Sequence, residues 1–194
     1  MPSMKAANGS VLYVTPGVFV DGGGWEIVVV NGKLVIKPVP PWDDYPILWS
    51  SILITASLQR LAATTEKSEL KTQITSAADA IATAYKADIK GLAEKAKRIN
   101  KDLEVIYITF YGCGDASNTY ITMSGQIGHS PGFTPLEPYS MVSLVGGLHQ
   151  LAKVTDKKGL APKLHAAAEA ILVGYEHELT RLTEHARVEE LAHV

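Results

Sequence analysis

The stretch Trp25-Glu-Ile-Val-Val-Val30-Asn31-Gly32-Lys33-Leu-Val-Ile-Lys-Pro-Val39 decides the fold class. Two runs rich in β-branched residues flank Asn-Gly, the dipeptide that best tolerates the positive φ angles of a type I′ turn. With Asn31 and Gly32 as the loop, Val30 pairs with Lys33, Val28 with Val35 and Glu26 with Lys37. Trp25, Ile27, Val29, Leu34 and Ile36 then share the opposite, core-facing side. Upstream, Val11 to Thr15 and Val18 to Val20 surround Pro16-Gly17 and read as a further strand, bent or broken at that turn.

Downstream the periodicity changes to that of helices. Helix one is expected from Tyr45 to Ala63, capped by Asp44 and apolar on nearly every side from Ile47 to Ile54, which places it centrally. A second helix follows Thr64-Thr65 and runs to Asn100, with Leu70, Ile74, Ala77, Ile81, Tyr85, Ile89 and Leu92 in one stripe. Leu103–Tyr111 and Thr119–Met123 read as another strand pair around the loop Gly112–Asn118, and residues 125–132 as an irregular loop. Thr134-Pro-Leu-Glu137 has the form of a capping box, so helix three is expected from there to Val154. Its Gly146-Gly147 implies a kink or close approach by another backbone. Pro162 opens a last helix running nearly to the end, with Leu164, Ala168, Ile171, Tyr175 and Leu179 on its buried side.

The expected architecture is α+β: an antiparallel sheet of about four strands, made of the N-terminal hairpin and a second hairpin, packed with four helices, two of them long. No repeat, low-complexity tract or linker is read, so residues 1–194 are expected to form one domain. With 46% hydrophobic residues the chain can bury a substantial core, and a net charge of −2 provides no global attraction for nucleic acid. The start of the chain has no apolar run of the secretory kind, and Ile47–Ala63 is too diluted by polar residues to span a membrane. One cysteine, Cys113, permits no intrachain disulfide. A soluble, cytoplasmic protein is the expectation.

The candidates for chemistry are few. Cys113 lies between two glycines with Asp115 close by, and a nucleophilic role would require a base such as His129 or His149 within hydrogen-bond reach. Asp115 would raise the thiol pKa, and no Lys, Arg or His lies between Glu104 and Gln126, so a small buried thiol is the simpler assignment. His165, His177, His185 and His193 on the last helix are not spaced for chelation by one helix face, and no metal or cofactor is expected. Asp21-Gly-Gly-Gly24 lacks the Lys-Ser/Thr of a phosphate loop.

Charge is more informative. Glu66–Lys101 carries eight basic and five acidic residues, and Pro162–Val194 three basic and six acidic, so the two long helical segments are complementary. A non-enzymatic protein that self-associates or acts as an adaptor, most simply a homo-oligomer, is the leading functional expectation. The alternative is a small enzyme or ligand-binding protein with a pocket near Gly112–Asn118 and His129. Whether the chain is an enzyme is left undecided by the sequence.

Overall fold

The structure is a computed structural model that describes residues 11–14, 24–30, 33–39, 47–108, 119–129 and 138–181. The class is α+β, but the strands do not form a single sheet of four. They form two separate three-stranded antiparallel sheets. In the first, β1 (Val11–Val14), β2 (Gly24–Val30) and β3 (Lys33–Val39) lie in chain order, and β2 pairs with β3 from Val30↔Lys33 to Gly24↔Val39. Their inward and outward side chains, Trp25, Ile27, Leu34, Ile36, Lys33 and Lys37 among them, lie outside the described residues.

The second sheet repeats that order with β4 (Val105–Ile108), β5 (Thr119–Thr122) and β6 (Ile127–His129). Here the expected irregular loop is corrected: Ile127–His129 returns alongside β5. The hairpin closes where the Gly125 N–H donates to the Thr122 carbonyl, with Gly125 at φ +81°. A side chain at Gly125 would be strained by that φ and would come within 3.1 Å of the Lys90 backbone, so glycine suits both the turn and its seat on the neighbouring helix.

The helices are α1 (Ile47–Thr64), α2 (Ser68–Ala84), α3 (Lys86–Ile99), α4 (Pro138–Val154) and α5 (Leu160–Gly174). The long second helix expected to reach Asn100 is therefore two, divided at Tyr85, and the last helix is likewise divided at Tyr175 before helical structure resumes over 176–181. Both tyrosines leave helical geometry, at φ −102° and −121°. Their N–H groups still donate to Ile81 and Ile171, while Ile89 and Leu179 donate to the tyrosine carbonyls. The bend keeps the hydrogen-bond ladder and the apolar spacing intact, which is why periodicity alone runs straight through it. The expected start of helix three at Thr134–Glu137 lies outside the described residues.

The order β-β-β-α-α-bend-helix occurs twice, and the sequence carries the same duplication. Thr65, Lys67, Leu70, Ala77-Ala78, Ala80-Ile81 and Tyr85 recur ninety positions later as Thr155, Lys157, Leu160, Ala167-Ala168, Ala170-Ile171 and Tyr175. Val11-Leu-Tyr-Val-Thr15 returns as Val105-Ile-Tyr-Ile-Thr109. The expectation of no internal repeat is thus corrected: the chain is two copies of one unit.

The two copies are interlocked. α1 packs on α2 and α4 on α5, as hairpin neighbours do, and α2 meets α5 and α1 meets α4 across the halves. The sheets cross over as well: the first lies mainly against α4, and β6 of the second lies against α1. Each central helix is consequently covered on several sides, and residues 51–58 of α1 and 141–148 of α4 are all buried. A helix apolar all round is stable only in such a position. Polar positions within these stretches turn back onto the helix, as when Thr55 donates to the Ser51 carbonyl at 2.7 Å.

Where the halves meet, small residues set the approach. Ala77, Ala78, Ala167 and Ala168 are all buried on the packed pair α2 and α5. α4 runs unbroken through Gly146-Gly147, and a Cβ at Gly147 would lie 3.3 Å from the Ile54 Cδ1, so the close neighbour there is a side chain of α1 rather than a backbone. Gly147→Leu and Ala168→Leu should each overpack this seam and cost about 1–3 kcal/mol. Urea denaturation of the purified variants measures it, and an unchanged midpoint for both would show that the seam is looser than described.

Candidate functional site

Two clusters stand out: one follows the duplication and one departs from it. The first is a pair of matching latches at the ends of the seam. Lys67, just before α2, places its Nζ 4.2 Å from the Tyr175 ring centroid and 3.9 Å from Glu178, and also donates to the Gly174 carbonyl. Lys157, just before α5, places its Nζ 5.1 Å from the Tyr85 ring and 3.0 Å from Asp88. Thr65 and Thr155 set these lysines by accepting the Lys67 and Lys157 backbone N–H at 3.3 and 3.2 Å. Each half thus caps the bend of the other with the same Thr-x-Lys turn.

The latches differ in detail. Tyr85 is buried and shares a 2.8 Å hydrogen bond with the Thr155 hydroxyl, and burial, ahead of the other influences, raises its phenol pKa. The hydrogen bond to Asp88 raises the Lys157 pKa, so that ammonium stays charged throughout the neutral range. The ion pairs are solvent-exposed, where water and salt screen them. They fix orientation more than they stabilise, and the chemistry they offer is association between helices.

The second cluster is His149 on α4 with His165 on α5. Their Nδ1 atoms are 3.1 Å apart and their ring centroids 5.3 Å apart, tilted by 40°. His149 is half-buried and His165 exposed. Burial lowers the His149 pKa below the ordinary 6.5, His165 lowers it further, and Glu169 opposes both. At the matching positions of the first half stand Gln59 and Thr75, and the Gln59 side-chain oxygen is buried without a hydrogen-bond partner. Spacing along one helix does not reveal the pair, because the two histidines come from adjacent helices.

Of the candidates read from the sequence, Cys113 and Asp115 lie outside the described residues, as does the whole loop Gly112–Asn118. His129 ends β6, its backbone opposite Thr119, and its side chain is not among those described. The proposed convergence of Cys113, Asp115 and His129 therefore falls outside the described residues. Among the described residues no three His, Cys, Asp or Glu side chains gather at ligating distance, and no helix is long and apolar enough to cross a membrane. Among the described residues, open grooves lie beside Asp79, Lys158 and Lys163 and beside Lys67, Gly174 and Glu178. Compared with known protein families, with curated proteins and with solved structures, the chain matches none.

Because the folded state holds His149 below its unfolded pKa, acid favours the unfolded chain. The contribution is absent above pH 6.5 and grows as pH falls from there towards the folded pKa. His149→Gln should flatten the fall in unfolding free energy between pH 6.5 and 5, measured by denaturant titration at each pH. An acid limb as steep as that of the parent would remove His149 as its source.

Proposed function

We propose that this is a non-enzymatic protein that acts by association, as a homo-oligomeric subunit or adaptor whose working surfaces are the two arms, the stretches of chain that follow the bends. The observation that carries the reading is that equivalent arms have acquired opposite charge. Lys86, Lys90, Lys95, Lys97, Arg98 and Lys101 lie exposed along and just past α3. The matching stretch after Tyr175 carries Glu176, Glu178, Glu184, Glu189 and Glu190 instead.

The frame around them is duplicated, and although the two copies also differ at buried positions such as Ser51 and Met141, the reversal of charge falls on these arms. Asp88 and Glu178 are already used by the two latches. The basic groups of α3 have Glu94 as a neighbour of Lys90, at 3.8 Å, and otherwise face outward. Ile99 adds an apolar side chain, 84% exposed, at the end of the same arm. A second copy of the chain offers the complementary arm, and two copies can satisfy one another's arms at once. An acidic partner protein would meet the basic arm by the same chemistry. Nucleic acid is the weaker fit, since aromatic residues are not interleaved with the basic ones. A cytoplasmic location belongs to the same proposal.

Multi-angle light scattering at micromolar concentration tests it. A defined oligomer is expected at low ionic strength, burying at least about 1,000 Å² in its main contact and weakening as salt shortens electrostatic range. The double variant Lys97→Glu, Arg98→Glu should shift the mass towards monomer. A monomer under every condition would overturn the self-association reading.

A further inference from the structure

We infer that His149 and His165 form a two-nitrogen binding site for a borderline divalent cation, Zn²⁺ or Cu²⁺ being the class, bridged between α4 and α5. The first support is distance. Imidazole nitrogens bind zinc at about 2.0–2.1 Å, so two of them on one tetrahedral centre stand about 3.3 Å apart. The Nδ1 atoms of His149 and His165 are 3.1 Å apart without any rearrangement.

The second support is rigidity. α4 and α5 are antiparallel neighbours whose facing residues Leu148, Leu151, Leu164 and Ala168 are all buried, so both rings hang from a packed frame. The third is electrostatic: Glu169, one helical turn beyond His165, places a carboxylate where its charge reaches His149. That charge favours a bound cation. The exposed His165 side is the entry path, and water completes the coordination, since a third protein ligand is not within reach among the described residues.

The fourth support comes from the duplication. Residues that build the frame recur ninety positions apart, but His149 and His165 replace Gln59 and Thr75. The equivalent position thus folds without histidine, so the pair is not demanded by the architecture. The inference is independent of the association reading, because its residues lie on neither arm.

The test is isothermal titration of the full-length protein with ZnCl₂ near pH 7.5, with thermal unfolding in parallel. One saturable equivalent that raises Tm is expected, and it should disappear when the pH is lowered to 5, where histidine protonation competes. His165→Ala, an exposed change that the frame tolerates, should abolish that equivalent, and His149→Gln should do the same. His177→Ala should retain it. Zinc binding unaltered by both His165→Ala and His149→Gln, or no saturable binding by the parent, would leave the pair a plain N–H···N hydrogen bond and overturn the proposal.

Discussion

α1 and α4 leave almost no face for water, and the rest of the fold follows from covering them. Each is flanked by the helix that follows it, by the other central helix and by the sheet of the opposite half. A unit made of one sheet and one helical hairpin would leave its central helix bare along a whole side. Exposure of that side would cost about 25 cal/mol for every Å² of apolar surface. Two units that trade sheets remove the exposure in both at once. The interlocking is therefore the condition under which such apolar helices stay covered, and one contiguous core drawing on α1, α2, α4, α5, Ile89 of α3, Ile121 of β5 and Leu179 is its consequence.

Electrostatics then orients what burial drives together. The matched latches place one lysine from each half over the tyrosine at the other half's bend, next to Asp88 or Glu178. At each bend the tyrosine ring stays under its lysine, while Ile89 and Leu179 beyond the bends remain in the core. The duplication explains why the charge contrast between the two long helical segments is only partly spent inside the chain. Each latch uses one acid, Glu178 from one arm and Asp88 from the other, and the remaining basic groups of α3 face solvent. Apart from Asp88, Glu178 and the buried Ile89 and Leu179, the arms are thus free to differ, as are positions such as 149 and 165.

Much of this was legible in the residues, and the failures have physical causes. The apolar run from Ile47 to Ile54 pointed to a central helix because no amphipathic face was present. The stripe from Leu70 to Leu92 gave the buried side of α2 and α3. It did not give the bend, since Tyr85 sits in register with Ile81 and Ile89 and the hydrogen bonds persist through it. The repeat was hidden because matched positions exchange like for like, Ile74 for Leu164 in the core and Asp79 for Glu169 on the surface. Identity survives only at scattered positions, among them Lys67 and Tyr85 of the latches, Ala78 of the seam and Leu70 and Ile81 of the core. Gly125 announced a turn, but Gln126-Ile-Gly-His129 is too short and too rich in glycine to announce a strand. The histidine pair depends on two helices meeting, which spacing along one helix cannot reveal.

The central claim is that neither half completes its core without the other. It is tested most directly by engineering a protease site between Asn100 and Glu104, cleaving the folded protein there, and following the fragments by size exclusion and thermal unfolding. The account predicts that the two fragments co-elute as one particle and unfold in a single transition. Fragments that separate on cleavage and each remain folded, or an intact chain that unfolds in two independent steps, would contradict it.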